Sequence, residues 1–474
     1  MDIIVDIAII GAGTAGISAF KEANKTTNSI ILIDHGPLGT TCARVGCMPS
    51  KTLIQVANSF HERLNFSTQG ITGTNNLSIN IPKVMQHVRK LRDSFTSGTI
   101  KYLKSLGNQF IGGNAYFEEP KVIKVGRKNI IANKIIIATG AHSIVPDEWL
   151  KFSKQILTTE NIFEQHQFKQ NIAAIGAGAN GLELGQALSR LGINISIFHS
   201  HNFLDGLSDP IVNACAIHIM REELQLNVGS SAIIKNVNKN LLVKNNKKSF
   251  TANQILATLG RKPNLLDLKL ENAGVQVDQS GLPIFNRSTL KVNNLPIYII
   301  GDVNEYRPLL HEATDAGHIA GYNISHNKPG QFHRRVPLSI IFTDPNIAMV
   351  GKSFHELQQT DFIIGECDFS NQGRSRIMFK NKGILRIYAS RSDGIVLGAE
   401  MIAPGGEHIA HLLAWSIQQK MTVIDILKMP FYHPVIEEGL RTALHELAKQ
   451  ISNKPKTCGL AMCDSQPMTE LSQK

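Results

Sequence analysis

The hydrophobic positions of this chain fall in strand-length runs, and two of those runs open the same local pattern. Residues 3–10 lead into Gly11-Ala-Gly13-Thr-Ala-Gly16 and a helical stretch; residues 172–175 lead into Gly176-Ala-Gly178-Ala-Asn-Gly181 and a helix over 182–191. Each copy later reaches an apolar strand with a similar ending, Ile135-Ile-Ile-Ala-Thr-Gly140 and Ile255-Leu-Ala-Thr-Leu-Gly260. Between these landmarks the first copy is longer. The surplus reads as a helical insertion that includes 52–64 and 82–106, where apolar residues recur at helical spacing. Residues 264–334 return to the first unit through a strand at 297–300. A final unit from Arg335 mixes strands (338–342, 383–388, 395–401) with helices (407–420, 437–451). From Ser452 the chain is polar and aperiodic, which reads as a flexible tail. The expected class is α/β: two doubly wound dinucleotide-binding domains (1–145 and 146–263), a return segment (264–334), an α+β C-terminal domain (335–451) and a tail (452–474).

Composition excludes other classes without changing that picture. The 474 residues are 42% hydrophobic and 18% charged, with 38 Gly and 18 Pro, which fits packed domains and not collagen-like, low-complexity or disordered chains. No run approaches the roughly eighteen apolar residues of a membrane span. The opening MDIIVDIAIIGAG lacks a basic region and a small-residue cleavage site, so it does not read as a signal peptide and a cytoplasmic location is expected. The net charge of +11 is dispersed in short runs such as Lys244–Lys248, and the 6% aromatic residues form no RNA-binding pattern. Nucleic acid is therefore not an expected partner; acidic protein surfaces suit the charge better.

A lone GxGxxG is weak evidence, but here each copy sits between a strand and a helix. Gly11 and Gly176 permit the tight turn, Gly13 and Gly178 let the backbone approach a pyrophosphate, and Gly16 and Gly181 pack helix on strand. The helix N-termini then offer free N–H groups to phosphate. Asp34 ends the second strand of the first copy, where a carboxylate reads a ribose hydroxyl. The same count in the second copy lands on His199, so the expected carboxylate is missing. A protonated histidine would favour a 2′-phosphate, yet no arginine lies within 198–207, and the reading stays with NAD.

Six cysteines include two pairs of identical spacing, Cys42-x4-Cys47 and Cys458-x4-Cys463. Close pairs in a cytosolic chain suggest redox or metal chemistry; zinc is disfavoured because no second Cys/His pair stands nearby. In an ideal helix, residues five apart have Cα atoms roughly 8–9 Å apart, more than the ~7 Å a disulfide tolerates. If Cys42 and Cys47 pair, the turn must be distorted, with Gly46 and Pro49 as the residues expected to do it. Two unrelated buried thiols remain the alternative.

Gly39-Thr-Thr-Cys-Ala-Arg-Val-Gly-Cys-Met-Pro-Ser-Lys51 resembles the active-site stretch of the flavin-dependent pyridine nucleotide–disulfide oxidoreductases. Its Pro-Ser-Lys ending is more like dihydrolipoyl dehydrogenase or mercuric reductase than glutathione reductase. Ala138-Thr139-Gly140, Gly260-Arg-Lys-Pro-Asn264, Gly301-Asp302, Leu310-His311-Glu-Ala313 and Phe342-Thr-Asp-Pro345 resemble further family landmarks, so the likeness runs from residue 1 to about 450. It implies FAD in the first unit, NAD in the second and a C-terminal dimerisation domain. It implies a Cys42–Cys47 redox disulfide, Asp302 on the ribityl chain, Lys51 near the flavin ring paired with Glu183, and a helix from near Leu310 aimed at the flavin. His433-Pro434 with Glu438 five residues on resembles the family's base, which implies a homodimer in which His433 serves the other subunit's disulfide. Pro434 suits a first helical position, placing His433 just before the helix. Val435-Ile436-Glu437 departs from the Thr and Ser of relatives and leaves open whether Glu437 shares the role.

The implied activity is dihydrolipoyl dehydrogenase, with a lipoyl-bearing acyltransferase or lipoyl carrier protein of 2-oxo acid dehydrogenase or glycine cleavage complexes as partner. The alternative is an NAD(P)H-dependent disulfide reductase that uses Cys458 and Cys463, in the manner of high-molecular-weight thioredoxin reductases. Mercury is disfavoured, because mercuric reductases usually carry adjacent tail cysteines and lack the histidine at position 433. A non-catalytic flavoprotein is disfavoured because Cys42, Cys47 and His433 are all present.

Overall fold

A computed structural model describes residues 2–452 and organises them around three main sheets. In the first, Asp2–Ile10 lies between Ile30–Asp34 and Lys128–Ile137, parallel to both, with Phe110–Gly112 beyond Ile30–Asp34. Lys128–Ile137 is long enough to serve two neighbours: its first half pairs antiparallel with Val122–Val125, and its last three residues pair with Ile297–Ile299. The chain thus returns to its first sheet after building the second. That second sheet is all parallel, in the order Gln225–Asn227, Asn194–Phe198, Asn171–Ile175, Gln254–Ala257, Ile156–Leu157. The third is all antiparallel and contains Asn346–Gly351 and Phe362–Asp368 beside the three expected strands. Both sequence repeats are therefore parallel strand–helix units, while the C-terminal unit is built differently.

Small residues set the spacing of the first layer. The helix Thr14–Ala23, which follows the first glycine turn, packs along Leu310–Ser325. A Cβ on Gly317 would stand 2.5 Å from the Ala15 carbonyl oxygen, and one on Gly321 2.7 Å from that of Ala19. Such close backbone approach fixes the second helix beside the first glycine loop.

Two expectations need correction. The first inserted helix does not begin at 52 but at Cys47, running to His61, with a short turn of helix at Arg63–Phe66 and the long helix Ile81–Ser105 after it. Pro49 misleads a periodicity reading; it sits in the first turn, where its missing N–H is not needed. Likewise Pro434 does not open the last helix, which spans Glu438–Gln450. The Val435 N–H is taken by the Glu438 carboxylate at 3.2 Å, which holds 434–437 as a turn ahead of the helix.

Candidate active site

The two glycine turns share their construction. Gly11 and Gly176 have φ of +109° and +112°, and a Cβ on either would run into the carbonyl of Ala138 or Thr258. Side chains on Gly16 and Gly181 would strike the carbonyls of Gly11 and Gly176. Nothing stands within 4 Å of a Cβ on Gly13, so the backbone there is open to a ligand. Asp34 closes the first turn by accepting from the Ala12 N–H and the Gly36 N–H, both at 2.6 Å. Thr139 and Asn264 exchange two hydrogen bonds of 2.8 Å beside Gly140, at φ +68°, and Gly260, at φ +115°. Asp302 lies in the turn Gly301–Asn304 after Ile297–Ile299; burial pushes its carboxyl above the ordinary range, against the pull of the Arg261 guanidinium.

The cysteine pair is held by a break between two helices. Thr40 caps Thr41–Val45 through the Ala43 N–H, and Gly46, at φ −121° and ψ −119°, separates it from Cys47–His61. The distortion is at Gly46 alone, since Pro49 is helical. No disulfide joins Cys42 and Cys47 in this structure, and each perturbs the ionisation of the other. The neighbouring Cys42 thiol, with burial opposing and the Lys51 ammonium assisting, brings Cys47 down to about 6. Cys47, followed by burial, pushes Cys42 up. Negative charge on the reduced pair is thus favoured at Cys47, within reach of Lys51.

Lys51 stands one turn along the same helix. Its Nζ is 2.7 Å from Glu183 Oε2 and 4.7 Å over the Phe342 ring. Glu183 is only 3% exposed, and its other oxygen accepts the Phe342 N–H at 2.9 Å. That donor is free because the strand Leu338–Ile341 ends one residue earlier. Glu183, Gln186 and Arg190 share one face of the helix Ala179–Arg190. Gln186 exchanges hydrogen bonds of 2.9 and 3.0 Å with the Asp344 backbone, and Arg190 pairs with Glu223 (2.7 Å), Asp344 (3.1 Å) and Asn58 (2.6 Å). One helix of the second unit therefore ties the cysteine helix to the loop 342–345 of the third. The roles of Phe342, Gln186 and Arg190 were not legible in sequence; Phe342-Thr-Asp-Pro345 marked the place but no function.

In the second unit, His199 occupies the place Asp34 has in the first. Its Nδ1 accepts the Ala177 N–H at 3.2 Å, as Asp34 accepts that of Ala12. Its Nε2 lies 2.9 Å from the Phe203 carbonyl oxygen, so with Nδ1 accepting, the ring donates from Nε2.

His433 makes no hydrogen bond to Cys42 or Cys47 of its own chain among the described residues. Its side chain is 81% exposed, with Nδ1 2.9 Å from Glu438 Oε1. The His433 bond, and then the Val435 N–H, hold the Glu438 carboxyl below its ordinary value. Glu437 makes no hydrogen bond to His433 among the described residues; it lines a cleft of about 530 Å³ with Lys51, Phe342 and Arg374. Cys458 and Cys463 lie outside the described residues.

The family model for pyridine nucleotide-disulphide oxidoreductases matches residues 5–317, and that for the dimerisation domain of the same family matches 337–444. The chain belongs to this family. It is a flavin disulphide oxidoreductase with two dinucleotide-binding domains and a dimerisation domain, and the family's cofactors are FAD and NAD(H). The open face at Gly13, the Asp34 anchor and the half-buried Asp302 carboxyl fit a flavin dinucleotide in the first unit. Among relatives, the dihydrolipoyl dehydrogenase of Bacillus subtilis is 25% identical over 91% of this chain and 94% of its own length. A mercuric reductase of Staphylococcus aureus is 26% identical over 94% of this chain and 83% of its own length. In fold, the chain is similar to an HOCl-induced flavoprotein disulfide reductase from Escherichia coli, with TM-score 0.81 at 19% identity, covering 93% of this chain and 99% of that one. No described helix is long and apolar enough to cross a membrane.

Proposed function

We propose that this oxidoreductase is a dihydrolipoyl dehydrogenase: it oxidises protein-bound dihydrolipoamide to lipoamide through a Cys42–Cys47 disulfide and delivers the electrons to NAD⁺. The observation that carries the reading is the Cys42/Cys47 pair set one helical turn from the Lys51–Glu183 ion pair, alongside an outward-facing His433–Glu438 couple.

In the proposed sequence, the partner subunit's His433 takes the proton of one dihydrolipoyl thiol through Nε2. The resulting thiolate attacks Cys42, the Cys42–Cys47 bond breaks, and Cys47 departs as a thiolate, which the Lys51 ammonium stabilises. The second substrate thiol attacks the substrate sulfur of the mixed disulfide, and its proton moves to the departing Cys42. The products are lipoyl disulfide, a Cys42 thiol, a Cys47 thiolate and one proton on the histidine, so atoms and electrons balance. Lys51 and the neighbouring Cys42 thiol stabilise the Cys47 thiolate. Glu438 orients the imidazole, and the Lys51–Glu183 pair with Asp302 and Asp34 would hold FAD, which supplies the two-electron relay to NAD⁺. The proposed partners are a second copy of this chain and a lipoyl-bearing acyltransferase or carrier protein of a 2-oxo acid dehydrogenase or glycine cleavage complex.

Anaerobic initial rates of NAD⁺ reduction by dihydrolipoamide, with NADP⁺ in parallel, test the reading. NAD⁺ turnover that disappears in Cys42→Ser is the expected result. Negligible turnover by a protein whose cysteine pair NADH still reduces would discard the lipoyl substrate and favour a protein disulfide reached through Cys458 and Cys463.

A further inference from the structure

The second glycine turn lacks the strand-end carboxylate that reads a ribose, and the ring that fills its slot is engaged on both nitrogens. His199 is 5% exposed, so it has no free donor or acceptor to offer a ligand. An acid nevertheless reaches the outer edge of that ring from six residues downstream. Asp205 Oδ1 lies 3.4 Å from His199 Nε2, and its Oδ2 lies 2.8 Å from the position of a Cβ on Gly178, the glycine whose backbone a dinucleotide approaches. The Asp205 carboxylate is 56% exposed and so is available to a ligand.

The loop that carries it is built to hold it there. The Asp205 N–H points to the carbonyl of Ala177, within the glycine turn, at 3.5 Å. The Leu204 N–H donates to Asn213 Oδ1 at 2.9 Å, and Asn213 donates to the Asn202 carbonyl at 3.2 Å. Gly206 adopts φ +90°, and a side chain there would strike the Met349 methyl. Beyond it, the wholly buried Glu400 of the third sheet accepts the N–H groups of Ser208 (2.7 Å) and Asp209 (2.8 Å). Residues 199–209 are therefore pinned to the glycine turn, to the helix Pro210–Glu223 and to the C-terminal sheet. No lysine or arginine occurs among them.

We infer that Asp205 is the specificity-determining residue of the second nucleotide site: its carboxylate replaces the missing strand-end acid, accepts from the adenosine ribose hydroxyls and repels a 2′-phosphate. The inference rests on the second glycine turn being the nicotinamide-nucleotide site, and it deepens that reading by naming the group that selects the unphosphorylated form. It is independent of the thiol substrate.

Calorimetric titration of the FAD-loaded protein with NADH and with NADPH tests it, using wild type, Asp205→Asn and Asp205→Lys. Wild type binds NADH more tightly. Removing one like charge beside a phosphate narrows the NADH-to-NADPH ratio about tenfold in Asp205→Asn, chiefly by tightening NADPH, and Asp205→Lys narrows it further. A ratio unchanged in both variants while both nucleotides still bind overturns the role of Asp205 alone. Absence of binding by either nucleotide to wild type overturns the site reading and this inference together, and lipoamide turnover enters neither outcome.

Discussion

Lys51 and Glu183 form a 2.7 Å ion pair that joins the helix opened by Cys47 to the helix that follows the second glycine turn. The pair does two things at once. It satisfies a carboxylate that is almost fully buried, and it keeps an ammonium within reach of the Cys47 sulfur.

The electrostatic consequence is measurable. Alkylation of the reduced protein by iodoacetamide, followed at Cys47 by mass spectrometry, rises with pH around a midpoint near 6, because the thiolate persists until pH falls through that value. An unperturbed thiol has its midpoint near 8.5. Lys51→Met removes a favourable charge and leaves Glu183 unpaired, so the midpoint moves up, by about one unit.

The proposed base gives a second expectation. His433→Gln lowers kcat with dihydrolipoamide by about 10²–10⁴-fold, while reduction of the cysteine pair by NADH survives. Glu438→Gln leaves the imidazole in place without its 2.9 Å partner. It acts as a positioning change: kcat falls by about tenfold with KM for dihydrolipoamide nearly unchanged.

Arg190 predicts a stability loss. Its guanidinium, 3% exposed, bonds Glu223, Asp344 and Asn58, and so joins three parts of the chain. Arg190→Ala removes the guanidinium from Glu223, leaves Asp344 with Lys380 alone at 3.5 Å, and costs about 2 kcal/mol. A lower urea midpoint with an unaltered slope is the result that supports this; an unchanged midpoint contradicts it.

The glycines of the first turn separate folding from binding. Gly13 is open, with φ −75° and ψ −176°, so Gly13→Val folds but blocks the backbone approach of a pyrophosphate. The purified variant has native far-UV circular dichroism and lacks flavin absorbance. In Gly16→Val the new side chain meets the Gly11 carbonyl, and little folded protein is recovered.

The sequence by itself determined the two strand–glycine–helix units, the return strand, the cysteine pair and the histidine with its carboxylate. These are patterns of local sterics and periodicity, or residues close in the chain: His433 and Glu438 are five apart. The tertiary structure decided the rest. The Lys51–Glu183 pair, 132 residues apart, was implied by family resemblance and by no spacing rule, while the Phe342 N–H on Glu183, 159 residues away, was implied by neither. Pro434 reads as a helix start in the sequence, but the Val435 N–H is taken by the Glu438 carboxylate and the helix begins at Glu438. At His199 the count along the strand was right and the side chain was not. An acid six residues later reaches the outer edge of the His199 ring only because the loop folds back over Gly178, and contacts made by such folding leave no period in the sequence.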